Sequence, residues 1–297
     1  MILNELIGVL LGTSAAFFFA LSLVFIRKAT VSGESLEAVI VVTSTNLAIF
    51  LPVSLVFHYP DFDLTKESLL AFAGSGLIGS FLGRYCFFEG TRRIGASRMS
   101  PLSKGSLIIA TLIGLLIFRE AITTGHFFGI FILFIGIVLV GYEMRISNSK
   151  IHNPSRVDYL FPLAGMVFAG LIDPIVKFGL LENTPVTVGL AIRFIFGFIV
   201  IVFYFLSKGM SPLKPFRVKD SHLYIKAGIV NSFAQISFFS ALSISRIVVV
   251  SPFKNISPLF MLFLSYLYLK RLEDITDFLI VGSVLVIGGA MLIGFFM

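Results

Sequence analysis

The stretch Glu120-Ala121-Ile122-Thr123 recurs 153 positions later as Glu273-Asp274-Ile275-Thr276. Each copy stands directly before a long apolar run, and the glycines of that run recur at the same displacement: Gly129 with Gly282, Gly136 with Gly289, and Gly141 with Gly294. A displacement shared by several positions indicates two copies of one structural unit. The interval predicts two halves, residues 1–142 and 159–297, joined by the polar linker 143–158.

The composition predicts that both halves lie in a membrane. Of 297 residues, 57% are hydrophobic, 34 are Phe, and only 13% are charged, whereas soluble domains carry about 25% charged residues. Ten apolar runs have roughly the 20-residue length that crosses a bilayer, so we expect an all-α integral membrane protein with ten transmembrane helices. The runs are Leu6–Ile26, Leu36–Phe57, Leu69–Phe88, Met99–Phe118, Thr124–Tyr142, Tyr159–Phe178, Pro185–Leu206, Leu223–Ile244, Ile247–Leu269 and Asp277–Phe296.

An odd number of spans in each half requires the two halves to enter the membrane from opposite sides. When the connections are sorted by side, 14 basic residues fall on one face, called the basic face below, and only Lys66, Arg119, Lys177 and Arg246 fall on the other. The pattern predicts two inverted five-helix repeats, an arrangement common in secondary transporters. The positive-inside rule places the basic face in the cytoplasm and both termini outside.

Ionisable residues inside spans cost about 2.5–3.5 kcal/mol each at the helix centre, so each one suggests a function. Six residues in or beside the spans are candidates, in two groups on either side of the membrane midplane: Arg84, Glu89 and Lys104 towards the basic face, and Asp173, Arg193 and Lys254 towards the other. Asn46 and Gln235 lie nearer the middle, and Tyr85 could line a cavity. These nine residues are the candidate site.

Two lysines are the strongest candidates for binding a substrate. Lys104 and Lys254 follow the Ser100-Pro101 and Ser251-Pro252 steps, which are related by a displacement of 151. Glu89 and Asp173 would balance their charge or couple transport to a proton. A structural alternative stays open, because Glu89 could pair with a neighbouring arginine and Asp173 with Arg193.

Other classes of protein fit less well. No span holds two His, no H-E-x-x-H occurs, and Cys86 is the single cysteine, so we expect neither an enzyme nor a metal or other cofactor. The basic residues are scattered over short connections, which argues against nucleic-acid binding. The expected partners are a small-molecule substrate, the lipid bilayer, and a coupling proton or counter-substrate. Monomer and homodimer both remain open.

The two halves resemble the drug/metabolite transporter superfamily, and specifically its EamA-like members. The resemblance rests on Phe118–Thr123, Ser257–Phe260 and Ile135–Gly141, and on an arginine, Arg193, in the second helix of a half. It implies a carrier with a central cavity shared by both halves and, in ten-span members, termini in the cytoplasm. Related phosphate-ester carriers use basic residues on the fourth and ninth helices, which hold Lys104 and Lys254 here.

The sequence therefore predicts a membrane carrier that moves a small anionic or zwitterionic metabolite by alternating access. An amino acid, an organic anion or a phosphorylated compound would fit. The alternative is a flippase or exporter of an amphipathic compound, for which the many Phe rings would matter more than the lysines.

Overall fold

A computed structural model describes residues 2–116, 124–146, 155–244, 250 and 253–296, with the backbone alone at some of these positions, and all secondary structure in these ranges is helical. The twelve α-helices there are α1 Ile2–Ala29, α2 Ser35–His58, α3 Lys66–Ser75, α4 Arg84–Ile94, α5 Ala96–Ser103, α6 Ser106–Leu116, α7 Thr124–Ile146, α8 Leu160–Leu181, α9 Val186–Ser207, α10 Ser221–Ile244, α11 Ser257–Tyr268 and α12 Asp277–Phe296. A π-helical segment, Gly76–Gly83, joins α3 to α4.

Seven helical stretches are long and apolar enough to cross a membrane. They are Glu5–Ala29, Ser35–His58, Lys66–Ile94, Thr124–Arg145, Val157–Leu180, Val186–Ser207 and Asp277–Gly294. The chain is thus a multi-pass membrane protein. The last helix has the predicted bounds, and Thr276 caps it by accepting a hydrogen bond from the Leu279 N–H at 3.2 Å.

The fourth and ninth predicted spans are not continuous helices, which corrects Met99–Phe118 and Ile247–Leu269. The first breaks in a turn at Lys104-Gly105, and the second turns at Asn255-Ile256 directly before α11. The two breaks are related by the displacement of 151 seen in the sequence. At the first break, tight bonds from the Lys104 and Gly105 N–H groups to the Pro101 and Leu102 carbonyls replace the helical pattern. The apolar run continues across both breaks and hides them.

Helices α7 and α12 pack in opposite directions through glycines. A Cβ on Gly129 would lie 3.0 Å from the Gly289 carbonyl oxygen, and one on Gly136 would lie 2.7 Å from that of Gly282. Such close backbone approach is possible only without side chains. Because Gly129 and Gly282 are repeat mates, as are Gly136 and Gly289, exchanging the halves maps this contact onto itself.

The middle of the bundle is formed by α2, α4, α9 and α10. Helix α1 packs along α10, and α2 packs against α9. An apolar cluster that includes Phe50, Phe194 and Phe239, with Phe238 packed against it, fills the space between these helices. Phe50 and Phe194 stack with ring centroids 5.6 Å apart. These four helices position the polar side chains described next.

Candidate functional site

Arg84 lies at the centre of a polar cluster inside the bundle. Its Nη1 donates to Thr43 Oγ1 at 2.9 Å, and its Nη2 donates to Asn231 Oδ1 at 3.4 Å. Its guanidinium lies over the ring of Phe194, 5.3 Å from the centroid. The side chain remains partly accessible although it is surrounded by helices.

Two amides extend the cluster along α10 and α2. Gln235 is buried, and its Nε2 donates to Asn231 Oδ1 at 3.1 Å. Asn46 is fully buried, and its Nδ2 donates to the Gly228 carbonyl at 2.9 Å and to Ser232 Oγ at 2.6 Å. Asn46 therefore ties α2 to α10, whereas Gln235 stands beside the Arg84 ligands.

The π-helical segment sets the position of Arg84 at the start of α4. A Cβ on Gly76 would lie 2.4 Å from the Arg193 carbonyl oxygen, and one on Gly79 would lie 2.7 Å from Arg193 Nη2. The segment therefore lets α9 approach closely enough for the Arg193 guanidinium to lie against the backbone of Gly79. Single-turn π segments are frequent at functional sites.

Two arginines thus converge on the middle of the bundle from different halves. Arg193 is near enough to Arg84 for their charges to repel. Among the described residues, no carboxylate forms an ion pair with Arg84.

The two predicted lysines lie at the helix breaks. Lys254 is partly buried, with Nζ 3.8 Å from the centroid of the Phe238 ring. Lys104 lies in the turn between α5 and α6 and is also partly buried. No described contact joins the two. The predicted Tyr85 packs edge-on against Phe161, with ring centroids 6.2 Å apart.

The predicted charge-balancing residues have different surroundings. Glu89 is buried and pairs with Arg92, at 2.6 and 2.9 Å, and with Arg93 at 2.5 Å. Its ionic partners in the described structure are therefore arginines. This pairing is the structural alternative that the sequence left open for Glu89. Asp173 belongs to α8, and its side chain lies outside the described part of the structure.

A group of ion pairs at the basic face connects the first half, the linker and the second half. We call this group the ion network; its members are Arg27, Glu89, Arg92, Arg93, Arg98, Glu143, Asp158 and Glu273. Arg98 and Glu143 form a two-pronged pair at 2.7 and 2.8 Å, and Thr276 also donates to Glu143, at 3.0 Å. Arg93 Nη1 reaches Asp158 Oδ1 at 2.6 Å.

Glu273, from the repeated motif, has the most cross-half contacts in this network. Its carboxylate accepts the backbone N–H groups of Ala96 and Ser97 at 2.6 and 2.9 Å, and it pairs with Arg27 Nε at 3.2 Å. Ala96 is the first residue of α5, so Glu273 caps that helix from the other half. A carboxylate suits a helix N-terminus because the free N–H groups there carry partial positive charge.

An apolar groove of about 460 Å³ lies apart from the polar cluster, between α3, α6 and α8. Its lining shares no residue with that cluster: Glu67, Leu70, Ala71, Ile113, Leu171, Pro174, Ile175 and Phe178. No group of three or more His, Cys, Asp or Glu that could hold a metal occurs in the part of the chain that the structure describes.

The sequence prediction missed several residues of this region. Thr43, Asn231 and Phe194 contact Arg84, and Phe238 contacts Lys254, yet none of them is ionisable. Asn231 could have been found, since it lies one helical turn before Gln235 on the same face of α10. Nothing in the sequence distinguishes Phe194 and Phe238 from the other phenylalanines, of which the chain has 34 in all.

Comparisons with known proteins agree with this fold. The sequence model of the EamA-like transporter family matches residues 6–142 and 157–295. A solved structure titled only "Crystal structure of protein" aligns with a TM-score of 0.64 at 12% identity, over 96% of this chain and 95% of that one. At that identity, the likeness concerns the fold alone. Comparison with curated proteins finds no match.

Proposed function

We propose that this chain, which belongs to the EamA-like transporter family, is a secondary carrier for a small anionic or zwitterionic metabolite. The family comprises transporters rather than enzymes. The proposed architecture is ten membrane passes in two inverted five-helix halves, residues 1–142 and 159–297, connected by residues 143–158.

The surroundings of Arg84 are the observation that favours an anionic substrate. A guanidinium is always charged, and taking it from water into the bundle costs several kcal/mol unless an opposite charge compensates. Its ligands, Thr43 and Asn231, are neutral, and Arg193 adds repulsion. A carboxylate or phosphate entering the cavity would supply the missing charge, and arginine binds both through paired hydrogen bonds.

The antiparallel glycine contact between α7 and α12 supports the inverted arrangement. These two helices are repeat mates, and antiparallel packing of repeat mates follows when one half is turned over relative to the other. Inverted halves provide two similar conformations, each open to one side, which is the basis of alternating access.

The ion network supports a state closed at the basic face. It joins the halves directly through Arg27–Glu273, and it ties the linker to each half through Arg93–Asp158 and Thr276–Glu143. At the opposite face, the described links between halves are neutral bonds from Thr184 to the Asp63 carbonyl and to Ser68 Oγ. Under this proposal, the substrate reaches Arg84 from that opposite face, and breaking the network opens the basic side.

The apolar groove between α3, α6 and α8 favours a second candidate function. Its lining suits a hydrocarbon chain, so a flippase or exporter of an amphipathic compound would place the tail there and the headgroup towards the bundle. Under this alternative, binding would depend on chain length, and the central arginine would contribute less.

A ligand screen on the purified full chain separates the two candidates. We expect small organic anions to raise the unfolding temperature of the wild type, because a ligand that binds only the folded state stabilises it. Arg84→Gln should lose this response, and Arg145→Gln, which alters an exposed arginine at the end of α7, should keep it. Stabilisation by lipid-like amphiphiles alone, unchanged in Arg84→Gln, would contradict the proposal and favour the flippase.

A further inference from the structure

A second cation, Lys254, contacts the face of α10 that carries Asn231, one of the two residues hydrogen-bonded to Arg84. Asn231 contacts Arg84, and Phe238 contacts Lys254. Seven residues separate Asn231 from Phe238, which corresponds to about 10 Å along the helix. Gln235 lies between them and donates to Asn231. The face therefore has a cation at each end and an amide in the middle.

Both cations rest on aromatic rings of one apolar cluster. Arg84 lies over Phe194, and Lys254 lies over Phe238, which packs against the cluster that holds Phe194. A ring face attracts a cation with about 2 kcal/mol when both are desolvated, which is less than the several kcal/mol that burying the charge costs. The rings thus hold each cation in place without neutralising it.

No described carboxylate forms an ion pair with either cation. A single anionic group would neutralise one end of this face and leave the other charge uncompensated. Two anionic groups on one small molecule would neutralise both.

Resting on the proposed function, we infer that the substrate is a dicarboxylate, with one carboxylate at Arg84 and the other at Lys254. Its carbon chain lies beside the partly accessible Phe238 ring. Gln235 faces the middle of the chain, where its amide selects a substituent that can form a hydrogen bond. Lys254 then determines specificity for the second charge, whereas Arg84 is needed for any anion.

The test compares dicarboxylates with monocarboxylates of equal length. Purified full-length protein is titrated with butanoate and butanedioate, and with pentanoate and pentanedioate, at fixed ionic strength and at a pH where all carboxyl groups are ionised. We expect each dicarboxylate to bind at least about tenfold more tightly than its partner. Lys254→Gln should bring that ratio close to one by weakening dicarboxylate binding more than monocarboxylate binding, and Lys254→Arg should restore it in part.

Lys270→Gln is the matched control. Lys270 is exposed, and its Nζ lies 3.9 Å from the centroid of the Tyr266 ring, a contact like that of Lys254 with Phe238. This variant should keep the wild-type ratio. Equal binding of mono- and dicarboxylates by the wild type, or an equal loss of both in Lys254→Gln, would overturn the inference and leave the anion site at Arg84 intact. Failure of every anion to bind would overturn the proposed function as well.

Discussion

Among single residues, the charged side chains inside this protein have two distinct kinds of surroundings. Arginines of the ion network, such as Arg27 and Arg98, pair with buried carboxylates. Arg84 and Lys254 instead meet neutral groups and aromatic rings. A paired buried charge holds helices together, while an uncompensated one in a cavity is available to a ligand. This difference separates the structural arginines from the proposed substrate site.

Glu273→Gln tests the role of the ion network. The amide keeps the size of the side chain but loses its charge, so its bonds to Arg27 and to the first turn of α5 weaken. We expect the basic face to open more often. A cysteine at the fully buried position Ser97, in a Cys86→Ala background, should then react several-fold faster with a thiol reagent in purified protein.

Glu67→Gln provides the control for this experiment, because Glu67 is an exposed carboxylate near the opposite face. It should leave the reactivity at position 97 unchanged. Equal rates in Glu273→Gln and its parent would show that Glu273 does not hold this face closed.

At the scale of helices, sequence patterns predicted most boundaries and missed the irregularities. Helix α12 has its predicted ends, because its apolar run is bounded by a polar capping segment. The breaks before α6 and α11 and the π segment 76–83 fall within apolar runs, where hydropathy does not change. These irregular backbones depend on packing against other helices, as Gly76 does against α9. A single sequence does not reveal such contacts.

The site was predicted in part for the same reason. Ionisable residues such as Arg84 and Lys254 are conspicuous in apolar spans, so the sequence identified them. Their partners, Asn231 and Phe238, became visible only when α10 was placed beside α4 and α11. The repeated motif marked Glu273 in the sequence but gave no sign that it caps α5 across 177 positions. Long-range pairing of this kind requires the fold.

The packing of α7 on α12 predicts opposite outcomes for two adjacent glycines. A Cβ on Gly289 would lie 2.4 Å from the Leu133 backbone nitrogen, whereas a Cβ on Gly288 meets nothing within 4 Å. Gly289→Ala should therefore push the helices apart and lower the unfolding temperature by several degrees. Gly288→Ala should match the wild type or exceed it slightly, because alanine favours a helix by about 1 kcal/mol over glycine.

Both variants are measured by thermal unfolding in the same detergent. Equal unfolding temperatures for the two would mean that the close contact between α7 and α12 does not occur in the protein.

At the scale of the whole molecule, the charge asymmetry persists after the ion network is considered. Of the 14 basic residues on the basic face, Arg27, Arg92, Arg93 and Arg98 pair with described carboxylates, which leaves 10 against 4 on the other face. The positive-inside rule counts basic residues rather than net charge. A cytoplasmic basic face and external termini therefore stay the prediction from the charges, although they oppose the habit of ten-span relatives.

The central claim is that this EamA-like protein carries a small anion through a site at Arg84. Its most direct test is exchange in proteoliposomes that are preloaded with butanedioate and diluted into a trace of the labelled compound. We expect transient accumulation of label with the wild type and with Arg145→Gln, and at least a tenfold slower rate with Arg84→Gln at equal reconstitution. Accumulation at the wild-type rate in Arg84→Gln would contradict it.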